Sequence, residues 1–223
     1  MEKQLVITVD GPAGVGKSTV SKELAKKISH VYLDTGALYR AIAYKVWKCG
    51  VPLDDDKKLS EVCGNAKISL KLVNGDMKVF VDKEDITEKI RTEEIGLLAS
   101  AVSAVPIVRN ALLPIQRDAG KRGGIVAEGR DMGTVVFPDA DVKFFLSADV
   151  NERTKRRHNQ LLEKGMCSEY SDTKKGLERR DCQDTERNIS PLKPSVDSII
   201  IDTTYMGIDD VVEEMMKGIS KNI

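Results

Sequence analysis

Residues 11–18 carry the most informative chemical pattern of this chain, a glycine-rich loop that ends in Lys-Ser and reads GPAGVGKS. An apolar run at residues 5–9 precedes the loop, and Val20, Leu24 and Ile28 follow it at helical spacing. Strand, loop and helix in this order are the context of a phosphate-binding loop (P-loop), whose backbone N–H groups surround phosphate oxygens at the positive end of a helix dipole. The pattern predicts that the chain binds a nucleoside triphosphate.

The end of this loop supplies the two side chains that such a site needs. Lys17 can reach the β- and γ-phosphates, and the Ser18 hydroxyl can ligate Mg²⁺. The residues expected to bind the nucleotide are Gly11, Pro12, Ala13, Gly14, Val15, Gly16, Lys17, Ser18 and Thr19.

Two arginines follow apolar runs at points where strands are expected to end. Arg40 closes the segment DTGALYR, and Arg130 lies in EGRDMG, directly after the run at residues 124–127. Because open α/β sheets bind ligands at the carboxyl ends of their strands, we expect both arginines in the site. Transfer between two anions requires fixed positive charge, and guanidinium groups bind phosphate in a bidentate manner. The pattern favours phosphoryl transfer to a small phosphorylated acceptor.

Other classes of P-loop protein fit less well. A GTPase would need an N-K-x-D motif and usually a D-x-x-G motif, and the sequence contains neither. A motor or transporter ATPase would normally be larger and would act on a partner. A regulator that binds nucleotide without turnover is disfavoured because Lys17, Arg40 and Arg130 are all present.

Composition narrows the partners and the compartment. Lys+Arg and Asp+Glu both number 35 in 223 residues, so the net charge is zero and bulk charge gives no indication of a nucleic-acid or membrane partner, and we expect neither. The four cysteines form no C-x-x-C pair, which argues against a zinc site and fits a reducing compartment. The chain shows no apolar run of membrane-spanning length, and we expect no signal peptide before the first strand. We therefore expect a cytoplasmic monomer.

The order of apolar runs predicts the fold class. Five strand-like runs alternate with helical patterns, at residues 5–9, 31–33, 124–127, 142–146 and 199–201. Strands that are apolar throughout are typical of a parallel sheet covered on both faces. We predict a three-layer α/β P-loop fold with a parallel sheet of about five strands.

One segment breaks this alternation. Residues 68–72 and 77–81 each alternate in polarity around Asn74-Gly75, a pair that favours the type I′ turn of a β-hairpin. An antiparallel hairpin does not belong in a parallel sheet, so we expect a hairpin-containing insertion at residues 59–119. The charged residues 151–188 are expected to form a helical, arginine-rich lid, which leaves residues 1–58, 120–150 and 189–223 as the core domain.

Five segments of the chain closely resemble bacterial cytidylate kinases. They are VDGPAGVGKST, DTGALYR, SAVSAVPIVRNALL, EGRDMGTVVFPDADVKFFL and ERRDCQDTERNISPL, and the resemblance covers essentially the whole chain. The P-loop alone is shared by many families, whereas its combination with GRDMGT and the hairpin insertion is far more specific. The resemblance implies an enzyme that uses ATP and Mg²⁺ to convert CMP or dCMP to CDP or dCDP. It also implies an acceptor-binding insertion and a mobile lid.

The same resemblance implies roles for individual residues. The acceptor phosphate would be held by Thr35, Arg40 and Arg130, and the cytosine would be read by Ser100, Arg109 and Asp131. Arg180 and Asp184 would bind the sugar, with Arg187 close to the phosphates. The lid arginines would be Arg153, Arg156 and Arg157, of which Arg157 is assigned with Lys17, Arg40 and Arg130 to catalysis. Thr35 and Glu128 replace the Ser and Asp of other members.

Two side chains have more than one interpretation. Asp131 can accept a hydrogen bond from the cytosine N4 amino group, where uracil presents an acceptor, but it can also be a turn residue or an arginine partner. Asp34 either holds a Mg²⁺-bound water or caps the following helix. No general base is required, because the acceptor is already a phosphate anion. A related kinase with another base preference remains the alternative function.

Overall fold

A computed structural model describes residues 4–73, 76–163 and 165–222. Its elements in chain order are β1 (Val6–Asp10), α1 (Lys17–Lys27), β2 (Val31–Asp34), α2 (Thr35–Lys48), α3 (Asp56–Asn65), β3 (Ile68–Val73), β4 (Asp76–Val81), β5 (Glu84–Asp85), a 3-10 turn (Lys89–Arg91), α4 (Glu93–Val102), α5 (Pro106–Gly120), β6 (Ile125–Gly129), a π-helical segment (Met132–Val136), β7 (Val142–Ser147), α6 (Val150–Glu163), α7 (Tyr170–Glu186), β8 (Ile199–Asp202) and α8 (Ile208–Asn222). The chain divides into two compact units, Met1–Leu33 with Ala119–Ile223, and Asp34–Asp118.

The first unit is built on a five-stranded sheet in the order β2-β6-β1-β7-β8. The pairings of β1 with β6, β1 with β7 and β7 with β8 are all parallel. Ile7, Phe144 and Leu146 are fully buried in its core, and Leu24 of α1 and Met215 of α8 pack into the same cluster. The apolar runs therefore form strands because each can bury side chains against helices, and the predicted α/β fold with a parallel five-stranded sheet is confirmed.

The register of the sheet places the predicted phosphate-binding segments side by side. Asp10 at the end of β1 is paired with Gly129 at the end of β6. The P-loop leaves β1, and Arg130 follows β6 directly. Both segments therefore start from the carboxyl ends of adjacent parallel strands, where α/β sheets bind ligands.

The second unit combines helices α2–α5 with a three-stranded antiparallel sheet, in the order β3-β4-β5. Strands β3 and β4 pair from Ile68 with Val81 to Val73 with Asp76, so the predicted hairpin strands are confirmed. The predicted turn, Asn74-Gly75, lies outside the described residues. Ile42, Leu59, Ile86 and Leu112 are among the buried side chains of a core within this unit.

The compact units start and end at positions other than the expected domain bounds. The second unit begins at Asp34, so it takes in α2 as well as the hairpin. The assignment of residues 59–119 to acceptor binding and of residues 151–188 to a lid stays a prediction.

Within the described part of the chain, no single helix is long and apolar enough to cross a membrane. Helices α4 and α5 meet that criterion only when joined across a 98° bend.

Candidate active site

The P-loop leaves the start of α1 open to an anion. Gly16 occupies the N-cap position with φ +97°, a left-handed conformation that side chains rarely adopt, and no described side chain caps the helix. Helices α2 and α3, by contrast, have Asp34 and Asp55 as side-chain caps. The first N–H groups of a helix lack intrahelical acceptors. At α1 the Thr19 N–H donates to the Gly16 carbonyl at 3.1 Å, and no described side chain occupies the position where a phosphate oxygen would cap the helix.

Lys17 is buried within the loop that it follows. Its ammonium Nζ donates hydrogen bonds to the carbonyl oxygens of Gly11, at 2.7 Å, and Pro12, at 2.6 Å. Burial lowers the pKa of Lys17 well below its ordinary value, and the positive charge of Arg130 lowers it further, against the carboxylates of Glu128, Asp10 and Asp184. Burial and the Arg130 charge therefore disfavour the charged form of Lys17, and the negative charge of a bound triphosphate would raise this pKa again.

Asp10, the last residue of β1, positions the segment that follows β6. Its two carboxylate oxygens accept hydrogen bonds from the backbone N–H groups of Met132, at 2.9 Å, and Gly133, at 2.8 Å. Burial raises the pKa of Asp10 to about 6, although those two hydrogen bonds oppose the shift. The sequence patterns predicted no role for Asp10, although it directly precedes the P-loop.

Because the pKa of folded Asp10 lies above its unfolded value, the neutral carboxyl favours folding at low pH, and this contribution is lost as the pH rises through about 6. We expect the free energy of unfolding of the wild type, relative to Asp10→Asn, to fall by about 2–2.5 kcal/mol between pH 4 and pH 7. Denaturant titrations across this range measure the difference, with Asp209→Asn on the exposed first turn of α8 as control. A difference that stays constant with pH would contradict the account.

Arg130 is held beside the P-loop by a carboxylate of α7. Its Nε donates to Oδ2 of Asp184 at 2.7 Å, and its Nη1 donates to the Gly129 carbonyl at 3.2 Å. Burial alone would lower the pKa of Arg130, but the carboxylates of Asp184 and Glu128 outweigh it, so this pKa is raised. Arg130 therefore stays charged and fixed in direction, as a phosphate-binding arginine must be. Asp184, assigned to the sugar from the sequence, has this arginine as a partner.

Two neighbours of Arg130 complete the end of β6. Glu128 is buried and accepts a hydrogen bond from the Tyr32 hydroxyl. Asp131 is buried and directly precedes the π-helical segment, whose Val135 and Val136 N–H groups bond to its carbonyl oxygen at 2.9 and 3.2 Å. Its backbone thus belongs to a fixed turn, and its side chain remains a candidate for base recognition.

The three arginines of α6 differ in their contacts. Arg153 is buried and donates to Asp181 and to the Ala13 carbonyl. Arg156 donates to Thr203 of the loop after β8, at 2.6 Å to its carbonyl and 3.1 Å to its hydroxyl. Arg157 donates to Gln160 at 2.8 Å in an exposed contact within α6. Arg153 therefore contacts the P-loop directly, and Arg156 contacts the loop after β8, whose Thr203 hydroxyl bonds to the Val15 carbonyl.

The remaining predicted residues of the first unit lie on α7, just after α7 and at the start of α1. Arg180 is half-buried on the helix, and Arg187 follows the last turn and donates from Nε to the Ser190 carbonyl at 2.6 Å. Ser18 and Thr19 are exposed at the start of α1. The structure thus brings together Lys17, Arg130 and Asp184 around the ends of β1 and β6.

The second unit holds the other predicted acceptor residues. Thr35 is buried at the first position of α2. Asp34 caps this helix by accepting from the Ala37 N–H at 2.9 Å, and it pairs with Arg40 at 2.8 Å. The capping interpretation of Asp34 is therefore confirmed, and the same carboxylate orients Arg40.

A short hydrogen-bonded chain links the two base-reading candidates of this unit. The Ser103 hydroxyl donates to the Ser100 carbonyl at 2.7 Å, and Nη1 of Arg109 donates to the Ser103 carbonyl at 3.0 Å. The Arg109 guanidinium also lies over the Tyr39 ring, 5.5 Å from its centre. Ser100 and Arg109 are thus held in one local arrangement, which Ser103 bridges.

The side chains near the P-loop fit a magnesium ion that is bound mainly through phosphate. Among the described residues, no cluster of three or more His, Cys, Asp or Glu side chains could hold a metal ion by itself. Mg²⁺ in nucleotide sites usually takes one or two protein ligands together with phosphate oxygens and water. The exposed hydroxyl of Ser18 suits that donor set.

A P-loop between the first strand and first helix of a parallel sheet, with a buried lysine at its end, defines a P-loop nucleotide-binding fold. A gluconokinase from Sinorhizobium meliloti 1021 shares this fold, at a TM-score of 0.52 and 14% identity, over 99% of this chain and 94% of that one. The family described as Cytidylate kinase matches residues 7–221, and the chain belongs to that family.

Curated relatives extend this match over nearly the whole chain. The cytidylate kinase of Syntrophotalea carbinolica is 47% identical over 99% of this chain and 94% of its own length. That of Geobacillus sp. (strain WCH70) is 44% identical over the full length of both chains. That of Citrifermentans bemidjiense is 43% identical over 100% of this chain and 95% of its own length.

Proposed function

We propose that this protein is an ATP-dependent cytidylate kinase, which transfers the γ-phosphoryl group of ATP to CMP or dCMP and releases ADP with CDP or dCDP. The observation that carries the proposal is the buried Lys17 of a P-loop beside the fixed Arg130 of the neighbouring strand end, in a chain of the cytidylate kinase family. One cation serves the donor phosphates, and the other serves the acceptor phosphate.

On the donor side, the backbone N–H groups of the P-loop bind the phosphates of ATP. Lys17 exchanges its bonds to the Gly11 and Pro12 carbonyls for β- and γ-phosphate oxygens. The negative charge of these oxygens offsets the burial and the Arg130 charge that lower the Lys17 pKa. Ser18 would hold Mg²⁺, which would supply further positive charge beside the phosphates.

On the acceptor side, Thr35, Arg40 and Arg130 bind the phosphate of CMP. Arg40 donates a hydrogen bond to Asp34, and Arg130 donates one to Asp184, and these carboxylates fix the directions of the two guanidinium groups. Arg180 and Asp184 bind the sugar, Arg187 lies near the phosphates, and Arg157 closes over the transferring group. Because an anion attacks, positioning and charge neutralisation supply the rate, and no side chain has to remove a proton.

Cytosine recognition is assigned to Ser100, Arg109 and Asp131. A buried carboxylate at Asp131 accepts from the N4 amino group of cytosine, and it repels the O4 of uracil at the same place. Burial increases the difference in binding free energy between the two bases, because water does not screen the repulsion between the carboxylate and uracil O4.

Asp131→Asn should therefore narrow the ratio of kcat/KM for CMP over UMP. The amide can turn its N–H toward uracil O4, whereas CMP loses a charge-assisted bond that contributes on the order of 1.5–3 kcal/mol. Steady-state kinetics with both acceptors measures the ratio. If Asp131 only orients an arginine, both acceptors weaken in parallel and the ratio stays unchanged, which would reject Asp131 as the cytosine reader.

A coupled assay of ADP release with CMP, dCMP, UMP and AMP tests the proposed function. We expect turnover with CMP and dCMP that far exceeds turnover with UMP or AMP. A preference for UMP or AMP would favour a related kinase of other base specificity, and ATP binding without turnover on any acceptor would favour a regulator. Cytoplasmic location, a monomeric state and the lack of a nucleic-acid partner stay predictions from the sequence.

A further inference from the structure

Asp181 of α7 contacts the P-loop itself. Its Oδ1 accepts a hydrogen bond from the backbone N–H of Ala13 at 3.3 Å, and its Oδ2 accepts one from Nη1 of Arg153. The same Arg153 nitrogen donates to the Ala13 carbonyl at 3.1 Å. The backbone of Ala13 is therefore held at its N–H by a carboxylate of α7 and at its carbonyl by a guanidinium of α6.

The packing next to Ala13 points to the same contact. A Cβ atom on Gly14 would lie 3.2 Å from the backbone oxygen and 3.3 Å from the Cβ of Arg153. Gly14 also has φ +75°, so the loop passes the α6 backbone where a larger residue would crowd it. The middle of the P-loop thus depends on where α6 and α7 lie.

Helix α6 reaches the loop a second time through Thr203. Arg156 binds the carbonyl and the hydroxyl of Thr203, and that hydroxyl contacts the Val15 carbonyl at 3.3 Å. Arg153 and Arg156, one helical turn apart, therefore support the loop at Ala13 and at Val15.

Asp181 and Asp184 lie one turn apart on α7 and form hydrogen bonds to different segments, although the Asp181 charge also raises the pKa of Arg130. Asp184 fixes Arg130, which we assign to the acceptor phosphate, whereas Asp181 fixes Ala13 and Arg153 on the donor side. Because Asp181 accepts a hydrogen bond from the N–H of Ala13, this donor is directed at α7.

We propose that Asp181 is a positioning residue for ATP, which sets the shape of the P-loop through Ala13 and Arg153 without touching the nucleotide. This inference rests on the proposed function for the identity of the phosphoryl donor, ATP. The sequence patterns gave no role to Asp181, and this inference gives it a role in binding ATP.

The test is the affinity of each variant for a non-hydrolysable ATP analogue with Mg²⁺, measured by calorimetry, together with the KM for CMP. Asp181→Asn loses the charge that faces Arg153, and we expect affinity for the analogue to fall on the order of ten-fold. The KM for CMP should stay near the wild-type value. Asp181→Glu keeps the charge but moves it, and its affinity should be intermediate. Asp172→Asn, exposed on the same helix, is the matched control.

A purely structural ion pair gives a different result. In that case Asp181→Asn lowers the melting temperature, while the folded protein binds the analogue as the wild type does, and the proposal is overturned. If Asp181→Asn fails to fold, wild-type affinity in Asp181→Glu overturns it equally. Because the binding assay needs no turnover, a wild type that binds the analogue but does not phosphorylate CMP would reject the kinase function alone.

Discussion

Lys17→Ala is expected to remove phosphoryl transfer while the protein stays folded. The ammonium group supplies charge to the β- and γ-phosphates, and loss of one such electrostatic contact typically lowers kcat by about 10²–10³-fold or more. The fold should tolerate the change, because burial and the Arg130 charge already disfavour a cation at this position. Initial rates with CMP, together with a thermal unfolding curve, measure both effects.

Lys26→Ala provides the control for this experiment. Lys26 is exposed in the last turn of the same helix, α1, and lies away from the loop. Its replacement should leave kcat and KM close to wild type. Near wild-type turnover in Lys17→Ala would reject the P-loop as the donor site.

Arg130→Gln should be the second most damaging substitution. It removes the guanidinium assigned to the acceptor phosphate, and we expect kcat/KM for CMP to fall by about 10²–10³-fold. It also leaves the Asp184 carboxylate, whose side chain is 5% exposed, without this partner. We therefore expect an additional loss of about 1–3 kcal/mol in the free energy of unfolding.

A double variant separates the two effects of Arg130. Arg130→Gln with Asp184→Asn pairs two neutral amides, so the free energy of unfolding should recover, while kcat/KM should remain low. Recovery of activity together with stability would mean that Arg130 is only a partner of Asp184. Arg130→Lys keeps the positive charge but loses the bidentate hydrogen bonds of the planar guanidinium group, and it should raise the KM for CMP.

Local patterns in the sequence were sufficient to predict the strands and helices that carry the site. The run at residues 5–9 and the P-loop predicted β1 and α1, because a buried strand and an amphipathic helix each impose a periodicity that neighbouring residues show. Arg130 could be placed at a strand end for the same reason. The alternating residues around Asn74-Gly75 predicted two antiparallel strands, and Ile68 does pair with Val81.

Contacts between distant residues could not be read in this way. Asp10 bonds to Met132 and Gly133, and Asp181 bonds to Ala13, and no local periodicity links such positions. The resemblance places Arg153 and Arg156 in a lid, which stays a prediction, but it does not predict their bonds to the Ala13 carbonyl and to Thr203. Such partners are set by how helices pack around the sheet.

The most direct test of the account follows the label from ATP carrying ³²P in its γ-phosphate, incubated with the protein, Mg²⁺ and CMP, and separated by chromatography. The account predicts that the label moves to CDP, that it does so in the wild type and not in Lys17→Ala, and that little inorganic phosphate forms. Label that appears only in inorganic phosphate, or faster labelling of UDP in a parallel incubation with UMP in place of CMP, would contradict it.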